Sequence, residues 1–259
     1  MTAVLCRAAV APVLAEANPR SEQVTQMLCG EAARVTDRKG EWQEVRLERD
    51  GYTGWLHHGY SCDTTEPDAD RWRTEAWLSA GAVVALEDGE LRLDPGARVL
   101  PARGGALQLP DSRQCRVISG LVAPPDEVRA VVRKVPPEAW ALRAFTGAPY
   151  LWGGLTPHGV DCSGLVQITF HLRGVSLPRD ARRQAECGRA IPAHGTAPSD
   201  LLFFAESDGR ISHVAFAAGD AGLVHAALGC GGVVAEPWGD GTRAAPLRNR
   251  LVQVRRIDG

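Results

Sequence analysis

Cys162 sits in the run Gly159-Val160-Asp161-Cys162-Ser163-Gly164, and Leu165, Val166, Ile168, Thr169 and Leu172 follow it at helical spacing until Gly174. Aspartate is a helix-capping residue type, so Asp161 sets Cys162 at or just before the first turn of a helix. Unpaired amide hydrogens and the positive end of the helix dipole favour a thiolate there, and the same amides can receive an oxyanion. A nucleophilic cysteine also needs a base. Ile211-Ser212-His213-Val214-Ala215-Phe216-Ala217 reads as a strand carrying one histidine. A turn at Gly219 to Gly222 leads into Leu223-Val224-His225-Ala226, the returning strand. His213 is the expected partner of Cys162, and His225 the group that orients its ring.

The two imidazoles must then share a cleft, which constrains the hairpin. Side chains alternate faces along a strand, and directly opposite residues share a face. A loop of odd length centred on Asp220 sets His225 opposite Ala215, on the face of His213. An even loop centred between Asp220 and Ala221 sends the histidines to opposite faces unless a bulge intervenes. The bland alternative for Cys162 is a buried apolar filler. A catalytic zinc held by Cys162, His213 and His225 with an open fourth position is a second alternative. The expectation is a cysteine nucleophile with no metal and no cofactor. His57-His58 reads as a surface turn, His158, His171 and His194 lack partners at metal-ligand spacing, and Asp200, Glu206 and Asp208 read as turn or loop charges.

Composition narrows the partners. The chain has 259 residues, 44% hydrophobic and 23% charged, with a formal net charge of −2. That is ordinary for a globular protein and offers nucleic acid or an anionic membrane no electrostatic attraction. Seven cysteines without a C-x-x-C pair fit neither a disulfide framework nor a zinc ribbon. Except for Cys162, they are expected to be small buried residues. No run approaches the ~18 apolar residues of a membrane span. Ala8 to Ala15, followed by Glu16-Ala17, has some features of an export signal, but Pro12 splits it.

The elements that must position the site divide into three stretches. Between residues 3 and 62, short strands alternate with turns; Trp42 to Leu47, the Asp50-Gly51 hairpin signal and Tyr52 to Leu56 are the clearest. This part, E-W-Q-E-V-R-L-E-R-D-G-Y-T-G-W-L, resembles bacterial SH3-like barrels attached to cell-wall enzymes. The resemblance sets Val10 to Leu14 in the first strand, which weakens the export reading. Residues 63–124 carry short runs at Ala82 to Leu86, Leu91 to Leu93, Arg98 to Leu100 and Arg116 to Ile118, and fit a second, divergent SH3-like domain. Residues 125–136 read as a linker between two Pro-Pro pairs, and Pro137 opens a short amphipathic helix ending near Gly147.

From residue 137 to 259 the chain resembles the NlpC family of papain-like cell-wall cysteine peptidases. The motifs that carry this are P-Y-L-W-G-G, D-C-S-G-L-V-Q, L-P-R-D followed by Gln184, D-L-L-F-F, I-S-H-V and V-H-A. The implied fold is an α+β papain-like (NlpC-type) catalytic domain over 137–259, preceded by two small all-β SH3-like barrels over 1–62 and 63–124. The resemblance implies Cys162, His213 and His225 as the catalytic set and Tyr150 on the oxyanion side. The subgroup with SH3-like domains looks like murein-peptide endopeptidases that cleave the γ-D-glutamyl to diamino-acid bond of peptides with a free N-terminal L-alanine. It implies Asp161 at the alanine's ammonium, with Ser163, Arg179 and Asp180 nearby and Tyr60 from the first barrel, together with Glu22 or Glu31. Ala181 stands where the subgroup usually has serine, so the resemblance does not extend to one substrate hydrogen bond. The implied partner is a small murein peptide, for a cytoplasmic monomer without nucleic acid or membrane. An amidase or acyltransferase on the same fold, a non-catalytic wall-peptide-binding module and an exported protein are the alternatives.

Overall fold

The computed structural model describes residues 2–258. They form two compact units that part in the sequence between Val131 and Val132. The first opens with strands β1 (Thr2–Cys6), β2 (Val10–Leu14), β3 (Gln23–Leu28), β4 (Ala32–Lys39), β5 (Trp42–Leu47), β6 (Thr53–His57) and β7 (Ser61–Thr64). They make one sheet in the order β3-β2-β6-β5-β4-β1-β7. Along β5 the alternation is realised: Gln43, Val45 and Leu47 are buried, and Val45 and Leu47 pack with Val4, Met27 and Leu56. The Asp50-Gly51 turn forms because the Asp50 carboxylate accepts from the Tyr52 amide at 2.9 Å while Gly51 takes φ +72°.

A helix follows, α1 (Glu66–Glu75), and then a second sheet of β8 (Trp77–Leu86), β9 (Gly89–Leu93), β10 (Arg98–Pro101), β11 (Leu107–Gln108) and β12 (Gln114–Ala123). Its order is β10-β11-β12-β8-β9. The sequence reading had strands and turns only in this stretch, and α1 is an addition. The helix buries just Ala69 and Trp72 among charged neighbours, so its apolar period is faint. Its start is nonetheless encoded: the Thr65 hydroxyl accepts from the Asp68 amide at 3.2 Å, and Pro67 lies in the first turn. The two sheets meet at Gly30, where a Cβ would collide with the Arg98 carbonyl and the Arg98 amide donates to Cys29 at 2.7 Å. Helix α2 (Pro125–Val132) occupies most of the stretch read as a linker.

The second unit carries the motifs. Helix α3 (Pro137–Ala144) precedes a two-stranded ribbon, β13 (Leu155–Thr156) with β14 (Gly159–Val160), and then α4 (Cys162–His171) and α5 (Ala181–Gln184). Strands β15 (Arg189–Ile191), β16 (Leu201–Ala205), β17 (Ile211–Ala218), β18 (Gly222–Ala227), β19 (Gly232–Pro237) and β20 (Leu251–Arg256) form an antiparallel sheet in the order β15-β20-β16-β17-β18-β19. Every residue of α4 from Cys162 to Phe170 is buried, and Phe170 stacks on Phe216 of β17 at 6.1 Å. β16 is buried throughout, as a central strand covered on both faces must be. The opposite face of the sheet packs Leu202, Phe204, Ala215, Ala217 and Leu223 against Trp238 and Leu247.

Candidate active site

The helix start at Cys162 is built by its neighbours. Asp161 is the N-cap, accepting from the Gly164 amide at 2.7 Å. Gly164 is obligatory because a Cβ there would collide with the Gly154 carbonyl, so the first turn packs directly on the Gly-Gly loop. Gln184, fully buried, donates to the Ser163 and Pro178 carbonyls at 2.9 Å each. The Cys162 thiol lies against the backbones of Val214, which follows His213, and of Ser163.

This start does not by itself make a thiolate. Burial first, and then the charge of Asp161, push the Cys162 thiol up to about 12, against the opposing pull of the Val214 backbone, Arg179 and the Ser163 backbone. Burial also carries His213 down to about 3, with His225 and Arg250 adding to the shift. Both shifts favour the neutral forms of the two groups. Loss of solvent thus works against the thiolate that the helix-end field favours. Burial raises Tyr150 too, and Cys162 and Asp161 follow as causes, which puts its hydroxyl in the field of the same thiol.

The hairpin takes the odd register. Phe216 pairs with Val224, Ala217 with Leu223 and Ala218 with Gly222, around a three-residue loop centred on Asp220. Asp220 and Ala221 adopt φ of +55° and +51° to close it. His213 and His225 therefore share a face, and His213 Nε2 lies 2.8 Å from His225 Nδ1. His225 Nε2 lies 2.7 Å from Glu236 Oε1 on β19. Arg243 holds Glu236 through Nε, 3.0 Å from Oε2, and through Nη2 to Oε1.

This chain fixes the tautomers. An ionised carboxylate only accepts, so His225 Nε2 carries a proton and its Nδ1 is the acceptor. His213 Nε2 must then donate, which leaves His213 Nδ1 as the lone pair able to take a proton. The zinc alternative does not fit, because His213 and His225 use their facing nitrogens on each other. Glu236 and Arg243 are absent from the sequence-based site. The available signal was a lone carboxylate in the apolar strand Gly232–Pro237, on the face shared with Val234, which pairs with His225.

Asp161 does more than cap. Oδ1 accepts from Gly164 N, Ser163 Oγ at 3.2 Å and Arg179 Nη1 at 3.0 Å; Oδ2 accepts from Gly153 N at 2.8 Å and Arg179 Nη2 at 2.5 Å. Arg179 also donates to Ser163 Oγ at 2.8 Å. Burial alone would lower the Arg179 pKa, but Asp161 more than offsets it, and the guanidinium stays charged. Asp161, Ser163 and Arg179 are thus one buried cluster, and Asp180 is exposed beside it at the N-cap of α5. Tyr60 belongs to the first unit, exposed at the end of a 3₁₀ turn. Of the two acids named with it, Glu22 is exposed, whereas Glu31 is buried and bound to Arg49 at 2.6 Å and to the Leu28 amide at 2.8 Å.

The sequence pattern of the NlpC/P60 family matches residues 147–255, and that of the bacterial dipeptidyl-peptidase Sh3 domain matches residues 13–59. Over 230 residues the chain is 32% identical to the gamma-D-glutamyl-L-lysine dipeptidyl-peptidase of Bacillus subtilis, an alignment covering 78% of this chain and 71% of that protein. The chain belongs to the NlpC/P60 family. It is a cysteine peptidase of that family with N-terminal SH3-like sheets. A Bacillus cereus protein of the same name is 27% identical over 233 residues, covering 78% of this chain and 66% of the relative. The crystal structure of an NlpC/P60 family protein from Bacillus cereus shares the fold, with a TM-score of 0.80, 19% identity and coverage of 98% of this chain and 99% of that one. Within this NlpC/P60 chain, Cys162, Tyr150, His213 and His225 lie in one unit, on α4, the loop before β13, and the β17–β18 hairpin.

Proposed function

We propose that this NlpC/P60 peptidase hydrolyses the γ-D-glutamyl to diamino-acid bond of small murein peptides that carry a free N-terminal L-alanine. The observation that carries the chemistry is the hydrogen-bonded line His213–His225–Glu236, which leaves His213 Nδ1 as a base on the strand that touches Cys162. The substrate class is supported by the activity for which the Bacillus subtilis relative is named, aligned across most of both chains.

In this reading the Cys162 proton passes to His213, and Sγ attacks the γ-glutamyl carbonyl. Tyr150 and the amides at the start of α4 stabilise the oxyanion. His213 then protonates the departing amine, and water releases the acyl group from Cys162. Ser163, Arg179 and Asp180 hold the L-alanyl-γ-D-glutamyl part. Asp161, which the resemblance sets at the substrate ammonium, also accepts from Arg179 and Ser163 and so fixes both.

The test is mass spectrometry of products from free and cross-linked murein peptides, with L-Ala-γ-D-Glu-L-Lys beside its N-acetylated form. Release of L-Ala-γ-D-Glu from the free peptide alone is expected. Equal cleavage of both forms, or cleavage at another bond, would overturn the assignment.

A further inference from the structure

A cleft of about 440 Å³ opens beside His213 and is lined by Trp152, Glu206, Leu228, Arg243 and Arg250 among others. We infer that it receives the leaving diamino acid, with Arg243 and Arg250 binding that residue's free α-carboxylate. The inference rests on the proposed acyl transfer for the direction of the substrate.

The argument begins with the proton. Acylation forms the Cys162 S–C bond and breaks the C–N bond, and the thiol proton passes through His213 to the departing nitrogen. The leaving amine must therefore lie at His213. In an α-amino acid the carboxylate is joined to the carbon that bears this amine, so it falls in the same cleft.

The cleft is equipped for such a group. Arg243 is anchored by Glu236 through Nε and Nη2, and Arg250 through Nε to the Ala205 carbonyl at 3.0 Å and through Nη2 to Glu206 at 2.5 Å. Both anchors use the same edge of the guanidinium, which leaves the Nη1 hydrogens of both without a partner among the described residues. Their side chains stay 51% and 37% exposed. Both charges also disfavour the imidazolium that catalysis needs: Arg250 lowers His213, and Arg243 lowers His225. A bound carboxylate would offset that field as His213 takes up its proton. Trp152 and Leu228, 59% and 75% exposed, offer apolar surface to the aliphatic stem of a diamino acid, and the Glu206 carboxylate meets its distal ammonium.

The experiment compares kcat/KM for L-Ala-γ-D-Glu-L-Lys and for the same peptide with a C-terminal amide. The wild type should prefer the free acid by about tenfold or more, as expected for a charge-assisted pair. That ratio should shrink toward one in Arg250→Gln and in Arg243→Gln. The ratio is internal to each preparation, so a partly unfolded variant does not distort it. A ratio near one in the wild type, or an unchanged ratio in both variants, would overturn the inference. Protection of Cys162 from iodoacetamide, by L-lysine against L-lysinamide, reads the cleft without turnover. Protection by lysine alone supports it even if neither peptide is cut, which would count against the proposed function instead. Equal protection by the two counts against the cleft.

Discussion

Replacing Glu236 tests whether the tautomer line runs the base. In Glu236→Ala, His225 Nε2 loses its acceptor, and the ring can carry its proton on Nδ1 instead. That proton would face His213 Nε2, now required to accept, and His213 Nδ1 would become the protonated nitrogen. The base is then blocked without any movement of Cys162. A hydrogen bond to a charged group is worth about 1.5–3 kcal/mol. At about 1.4 kcal/mol per tenfold in rate, its loss slows proton transfer about 10- to 150-fold. Glu236→Gln should fall between, because its amide oxygen can still accept from His225 while its NH₂ faces the Arg243 Nε donor. Carbamidomethylation of Cys162 by iodoacetamide, followed peptide by peptide, reports the base without any assumption about substrate. ¹⁵N spectra of the histidine rings report the tautomers directly. Glu236 acts through His225, so kcat should fall with little change in KM. An unchanged alkylation rate, with His225 still protonated at Nε2 in Glu236→Ala, would refute the reasoning.

Cys162→Ala should abolish turnover and leave the fold intact; residual activity near the wild-type level would remove Cys162 as the nucleophile. Asp161→Asn should cost about 3–5 kcal/mol in urea unfolding, because it strands the buried Arg179 charge; a loss under 1 kcal/mol would mean that Arg179 finds another partner. Gly164→Ala should be severely destabilising through its collision with the Gly154 carbonyl, and a wild-type melting temperature would contradict that packing. Burial, then His225 and Arg250, hold folded His213 near 3, whereas the unfolded ring titrates near its ordinary 6.5. The unfolded chain thus binds the extra proton between those values, and stability should fall as pH drops from about 6.5 toward 3. His213→Asn should flatten that slope, and an identical slope in wild type and variant would exclude His213 as its source.

Much of the site could be read from neighbours in the chain. The Asp161 cap, the helix running on from Cys162 and the odd loop at Asp220 depend on residues a few positions apart, and local geometry sets them. The Asp50-Gly51 hairpin and β5 were legible for the same reason. Helix α1 was not, because its two buried residues give too little period and only packing on β1 and β10 decides its face. The rest depends on segments far apart. Arg179 meets Asp161 across eighteen residues, and Glu236 reaches His225 only once β18 and β19 are in register. The protonation of Cys162 and His213 was the least accessible of all. A helix start and a strand histidine suggest an ion pair, and the depth of burial works against the charged forms. Burial is a property of everything packed around a group, and no window of sequence contains it.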